Sequence, residues 1–254
     1  MNSSSHATSD LTNAAYWDQW WETADSSRVL SQHHPQYGKN GWFLKFIDRH
    51  LPELHGAVVA EIGGAMSYRL VSLAKHRGVI PVAIDYSPIG LEKTEQLFTA
   101  NGVKVRTIQS DFFDVKERFD VVTHWGVLEH QVDVGPFLKH CCEMAGKAMV
   151  FGMPNMLAYG MAEWKRYSPE SLDWHICHPD EPIVHTCRNG GFSCKPEFFG
   201  VPMICMTPIE KPSLATTGLL YAQMSFEMLG YILPYQFGTK KLSQTRSFVC
   251  HRQG

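Results

Sequence analysis

Net charge is nearly absent from this chain. Lys and Arg number 23 against 25 Asp and Glu, a formal balance of -2. That balance gives no electrostatic footprint for nucleic acid or an anionic membrane surface. Long apolar runs are also missing. None approaches the roughly 20 residues needed to span a bilayer, so no membrane partner is expected. The opening MNSSSHATSD has neither a charged n-region nor an apolar h-region. It is read as a disordered tail over 1–10 and not as a secretion signal. Cys-x-x-Cys pairs are lacking, and the cysteine count of seven is odd. Reduced, mostly buried thiols in a cytoplasmic protein are expected. Cys177 lies in HICHPDE with His175, His178 and Asp180. The stretch carries a Pro and no second cluster accompanies it, so it is read as a polar loop and no metal is expected.

What is present fits an ordinary globular protein: 44% hydrophobic and 19% charged residues over 254 positions. That length buries a full core as one large domain, or as a domain with a cap. Residues 11–50 concentrate aromatics. Trp17, Trp20 and Trp21 fall at helical spacing, and Phe43, Phe46 and Ile47 repeat it. Two helices around the loop SQHHPQYGKNG are expected, forming an N-terminal cap. From residue 57 strands alternate with helices: strands at Ala57–Ile62, Val79–Ile84, Val103–Gln109, Phe119–His124 and Ala148–Gly152. The helices between them are expected at Tyr68–His76, Ile89–Ala100 and Val134–Ala145. This rhythm implies right-handed crossovers and a parallel sheet, an α/β fold. After residue 155 it becomes irregular around Trp164, Tyr167 and Trp174. A helix is expected over Glu181–Asn189 and strands over Ser193–Gly200 and Ser247–Arg252. An α/β domain over 51–200 and 247–254 would then carry an insertion at 201–246. That insertion holds Tyr221, Met224, Phe226, Met228, Tyr231 and Phe237, with a helix over Leu219–Leu229. It is too apolar for disorder, and is read as a lid or as the subunit contact of a homodimer.

The strand ends carry the chemistry. In an open parallel sheet, ligands bind beyond the carboxyl ends of the strands. The first strand runs through Val58, Val59 and Ala60 to Glu61, then breaks into Gly63-Gly64-Ala65-Met66-Ser67. Small residues there let a ligand approach the backbone, and the acid suits hydroxyl or ammonium donors. Asp85 ends the second strand and can accept both hydrogen bonds of a ribose diol; its spacing from the loop fits an acid about twenty residues on. After the third strand, Asp111 can accept from an exocyclic amino group, and the Phe112 backbone can address a ring nitrogen. His124-Trp125-Gly126 borders the reacting centre. Together these point to a nucleotide-type cofactor.

The series EIGGAMS, AIDYSP, SDFFD and THWGVLEH resembles the class I S-adenosylmethionine-dependent methyltransferases over about residues 56–155. The last stretch is similar to that of the small-molecule branch, which includes ubiquinone- and sterol-type enzymes. The resemblance implies a doubly wound, seven-stranded, mostly parallel Rossmann-like sheet with S-adenosylmethionine as cofactor. It implies that Gly63, Gly64 and Ala65 line the methionine and ribose. Asp85 would hold the ribose hydroxyls, with Tyr86 packing on the adenine. Asp111 and Phe112 would bind the adenine edge, and Trp125 and Gly126 would flank the methionine. The family loop is commonly acid-x-Gly-x-Gly-x-Gly, whereas this chain has Ala65 and Ser67 at its second and third glycines. Ala65 fits there if its φ is negative.

Two alternatives share the architecture. One is an NAD-type Rossmann enzyme, which expects G-x-G-x-x-G; Gly63, Ala65 and Tyr68 or Arg69 do not supply that pattern, and Glu61 would repel a diphosphate. The other is a cofactor-binding partner subunit without turnover. Methyl transfer needs an aligned nucleophile, and a hydroxyl needs a base. His130, after Glu129, is the choice for base or orienting group, ahead of His124, His33, His34, His175 and His178. The chain has no [Asn/Asp]-Pro-Pro-[Tyr/Phe] after strand four, which argues against amino-directed methylation of bases and glutamine. An enclosed, partly apolar small molecule is the expected acceptor, with no nucleic-acid partner.

Overall fold

A computed structural model describes residues 12–27, 38–158, 161, 175–202, 214–229 and 239–254. The tail over 1–10, the loop histidines His33 and His34, and Trp164, Tyr167 and Trp174 lie outside the described residues.

Helix α1 (Ala14–Glu22) starts where the Asn13 side chain accepts from the Tyr16 amide, and α2 (Gly38–His50) follows. The alternating part comprises β1 (Val58–Ile62), α3 (Tyr68–Arg77), β2 (Ile80–Asp85), α4 (Pro88–Ala100), β3 (Arg106–Gln109), β4 (Phe119–Trp125), α5 (Val134–Met144) and β5 (Ala145–Pro154). Short 3-10 turns stand at Phe112–Asp114 and Leu128–His130. Local chemistry sets the helix starts. Ser67, Ser87 and Asp133 accept from Leu70 N (3.0 Å), Gly90 N (2.9 Å) and Gly135 N (2.9 Å), satisfying amides that the first turn leaves open. Gly78 ends α3 at φ 63, a left-handed position that glycine fills without strain.

The last third contains α6 (Asp180–Asn189), β6 (Phe192–Pro202), α7 (Leu214–Leu229) and β7 (Ser243–Arg252). All seven strands form one sheet in the order β3-β2-β1-β4-β5-β7-β6. The first five are mutually parallel, and β7 runs antiparallel to both β5 and β6. The expected doubly wound, mostly parallel sheet is therefore present. Strand β3 is shorter than expected, because it is an edge that pairs only with β2. Strand β6 extends to Pro202 and β7 begins at Ser243, so the connection between them covers 203–242.

Alternation along each strand divides the core into two layers. Val59 and Val121 face α2, α3 and α4 through Phe43, Phe46, Leu70, Leu97 and Phe98. Ala60, Ile62 and Val122 face α5 and α6 through Phe137, Leu138 and Ile183. Cys141, Cys142 and Cys187 are buried free thiols, and Cys177 is a free exposed one. Cys194 and Cys250 depart from the expected reduced set: they stand opposite each other on β6 and β7 and are joined as a disulfide. No helix among the described residues is long and apolar enough to cross a membrane.

Candidate cofactor-binding site

The strand order reverses between β1 and β4, because β2 and β3 lie on one side of β1 and β5 on the other. A crevice opens at such a switch point, beyond the carboxyl ends. Register brings the tips level: Ile62 pairs with Ile84 and with His124, and Asp85 pairs with Gln109. Glu61, Gly63, Asp85, Asp111 and Gly126 therefore stand along one rim.

The loop after β1 is fixed from beneath. Gly64 N donates to Ile84 O (3.1 Å), Ala65 N to Asp85 Oδ2 (3.2 Å) and Met66 N to Thr94 Oγ1 (2.8 Å). Gly63 has φ 64, and a Cβ there would come within 2.6 Å of Val127 Cγ2. A Cβ at Gly64 would meet Glu61 O at 2.8 Å. Both positions therefore require glycine. The left-handed non-glycine residue is Met66, at φ 54, and Ala65 is free of that strain. Ser67, in place of the family's third glycine, caps α3 and also donates to Glu61 Oε2 (2.7 Å).

Two carboxyls here are buried, Glu61 and Glu129, and a third, Asp85, is half-buried. Burial pushes Glu61 up to about 7, against the Ser67 hydrogen bond and the Arg69 charge. Burial likewise takes Glu129 to about 7, opposed by its own backbone hydrogen bond and by Arg69. Asp85 rises to about 6 through burial, while the amides of Ser87, Ala65 and Tyr86 pull it down and Asp18 adds a smaller push upward. Asp85 Oδ1 accepts from Ser87 N (2.9 Å), so the backbone orients this carboxylate before any ligand arrives. Arg69 stacks over Trp125 at 4.6 Å, and Phe43 meets Trp125 edge-on at 5.5 Å.

Helix α1 covers the rim. Ser87 Oγ donates to Asp18, Lys93 Nζ to Ala24 O (3.2 Å) and Ser26 Oγ to Gln96 Oε1 (2.6 Å). A Cβ on Gly90 would fall 2.7 Å from Ala65 Cβ and 2.8 Å from Trp21 Cδ1, so Trp21 rests at the corner between the loop and α4. Trp17 stacks on Trp21 (5.9 Å) and meets His130 edge-on (5.6 Å), and His130 lies 5.1 Å from the His175 ring. This aromatic line crosses from the β2 side of the crevice to the β4 side.

Asp111 sits at the β3 end, exposed, accepting from Phe113 N at 2.9 Å, while Phe112 is buried against Phe137 and His140. His130 occupies the 3-10 turn after β4, ahead of α5. His124 does not border the groove as expected. It alternates into the opposite layer, 1% exposed, stacked on Phe151 (4.5 Å) and edge-on to Phe137 (5.0 Å). Burial drives its pKa down to about 3, so it stays neutral. Sequence reasoning passed over Arg69, Asp18, Thr94 and the carboxyl of Glu129. Arg69 carried one signal, its helical position directly after the loop. In HICHPDE, Asp180 pairs with Arg246, while His175 turns toward Glu129 and His130.

No protein-family model matches the chain. A ubiquinone biosynthesis O-methyltransferase of Azorhizobium caulinodans is 29% identical over 161 residues, 57% of this chain; the match spans 61% of that relative's length. Magnesium protoporphyrin IX methyltransferase from Synechocystis, solved with S-adenosylhomocysteine bound, superposes with a TM-score of 0.58 at 15% identity, covering 95% of both chains. Phosphoethanolamine N-methyltransferase 2 of Haemonchus contortus, in complex with S-adenosyl-L-methionine, gives 0.60 at 15% identity over 96% of this chain and 59% of its own. Strand order and these likenesses show that the chain has the fold of S-adenosylmethionine-dependent methyltransferases.

Proposed function

We propose that this chain is an S-adenosylmethionine-dependent methyltransferase acting on an oxygen or nitrogen of a small-molecule acceptor. One observation carries the reading: the loop after β1, Glu61 and the pre-oriented Asp85 share one rim, and Trp21, Trp17 and His130 close it from above. The residues present fit the cofactor. A buried acid at Glu61 tolerates an ammonium and disfavours a diphosphate, which argues against the NAD alternative. Asp85 accepts from ribose hydroxyls, Tyr86 packs beside the adenine, and Asp111 with Phe112 addresses its edge. Gly63, Gly64 and Ala65 line the methionine and ribose, with Trp125 and Gly126 on the other side. The relative's name, an O-methyltransferase, supports an oxygen acceptor.

S-adenosylmethionine, when bound, supplies an electrophilic methyl carbon on a sulfonium. The protein's work is then alignment and exclusion of water, for which the tryptophans of α1 and the turn after β4 are placed. His130 faces the cap, where it would orient the acceptor or take its proton. Four free cysteines favour a cytoplasmic setting, and the Cys194–Cys250 disulfide weighs against it. Helix α7 exposes Tyr221, Met224 and Met228, which suits a lid or a homodimer contact.

Thermal shift with S-adenosylmethionine, S-adenosylhomocysteine and NAD tests the cofactor. Stabilisation by the first two alone is expected; stabilisation by NAD alone, or by none, defeats the reading. Binding without methyl transfer across a metabolite panel would instead point to the inactive partner subunit. Asp85→Ala should weaken S-adenosylhomocysteine binding at least about tenfold by calorimetry, because buried hydroxyls lose their acceptor. Unchanged affinity would remove Asp85 from the site.

A further inference from the structure

Glu129, His130 and His175 each offer one ligand atom, and these three atoms lie within 4.8 Å of one another. Glu129 is 2% exposed, and its Oε2 has no hydrogen-bond partner. A buried carboxylate oxygen without a donor is expensive to keep, and two imidazoles converge on the same point. We propose that these residues form a divalent-cation site on the β4 side of the groove. The inference rests on the methyltransferase reading for its purpose, but not for its geometry.

Two imidazoles and one carboxylate suit Zn2+ and the related first-row ions. Bond lengths near 2.0–2.1 Å put neighbouring ligand atoms about 3.4 Å apart. A spacing of at most 4.8 Å needs a closure of no more than about 1.4 Å. His175, half-exposed on its loop, can make that movement.

The scaffold is built for this convergence. Ile176 N donates to Glu129 O (2.7 Å), clamping the segment after His175 onto the turn that bears Glu129 and His130. The His178 ring bonds the backbone of Leu128 and Gln131. The His178 carbonyl in turn accepts from Arg246 Nη1 at 2.7 Å, and Arg246 pairs with Asp180. Arg69 interacts electrostatically with both Glu61 and Glu129, and its single positive charge is one short of neutralising two carboxylates. The second cluster of this kind among the described residues, Cys187, Cys194 and Cys250, has two of its sulfurs joined as a disulfide.

Three protein ligands leave coordination positions open beside the methyl-transfer region. An acceptor hydroxyl next to a second oxygen would chelate there. The cation lowers the hydroxyl's pKa, and its proton leaves to water. The oxygen lone pair then forms the new C–O bond, and the C–S bond breaks with its electron pair remaining on sulfur. His130 acts as a ligand in this scheme, so no protein base is required.

The test uses the full chain freed of metal by chelation. Calorimetric titration with Zn2+ and with Co2+ should show one equivalent bound. Glu129→Gln and His175→Ala should each weaken it at least about tenfold, with circular dichroism confirming that each variant is folded. Cys177→Ser should bind as the parent does, and the Co2+ spectrum should lack a thiolate charge-transfer band. Absence of saturable binding, binding that survives both ligand substitutions, or a thiolate band would overturn the site. S-adenosylhomocysteine affinity measured on the same metal-free protein reports the cofactor reading separately. Retained cofactor binding without metal binding rejects the cation site alone.

Discussion

At the scale of single residues, Asp85 has the lowest pKa of the three raised carboxyls in the proposed site, below Glu61 and Glu129. Its carboxyl ordinarily titrates near 3.8, and burial raises it to about 6 in the folded chain. The folded state therefore holds this proton more tightly than the unfolded state does. Asp85's own contribution to stability is fullest below 3.8 and declines as pH rises toward 6. Cofactor binding runs the other way, because the carboxylate is the better acceptor for two hydroxyls. Affinity for S-adenosylhomocysteine should climb between pH 5 and 7 and then level off. Asp85→Asn should flatten that climb; a parent profile without slope, by calorimetry in matched buffers, would contradict the assignment. Asp85 was legible in the sequence because it ends an apolar run at a set distance from a small-residue loop. The meeting of His175 with Glu129 and His130 was not, since the bond from Ile176 N to Glu129 O joins segments distant in the chain. Met66 was hidden for another reason. A left-handed turn is expected at glycine, yet here an interior methionine takes it while Thr94 holds its amide.

At the scale of elements, α1 and the turn after it are held at one face of the domain by Trp21 and by three hydrogen bonds to α4 and its cap, one from Asp18 in the helix and two from Ala24 and Ser26 beyond it. Trp21→Ala should release it locally and leave the sheet intact. Limited proteolysis ahead of residue 27 should accelerate about tenfold, equivalent to about 1.4 kcal/mol of docking, with little change in the main unfolding transition. Cleavage at the parent rate would mean that α1 docks by other contacts. The helical spacing of Trp17, Trp20 and Trp21 announced the element. Which faces it pairs was not announced: Trp20 is 60% exposed, whereas Trp17 and Trp21 stack inward. The five parallel strands were readable because strands buried on both faces leave continuous apolar runs. Residues 243–246 were harder to read, since Gln244, Thr245 and Arg246 look like a surface turn until the fold encloses them.

For the molecule as a whole, Arg246 joins the strand β7 to the segment leading into α6. It is 2% exposed, pairs with Asp180 and bonds the carbonyl of His178. Arg246→Ala leaves Asp180 and that carbonyl without their partner and opens a hole, which should lower stability by about 3–5 kcal/mol in urea denaturation. Arg246→Met, which keeps much of the volume, should lose less; equal and small losses would make the pair a surface ornament. Local sequence carries no sign that the last strand enters between β5 and β6, because order within a sheet is a property of the assembled chain. That placement has a consequence for biosynthesis. A nascent chain leaving the ribosome amino end first exposes the outer edge of β5, and the whole of β6, until β7 emerges to fill the slot. During that interval these unpaired edges are open to wrong partners, so chaperone dependence should be greatest between the synthesis of β5 and that of β7.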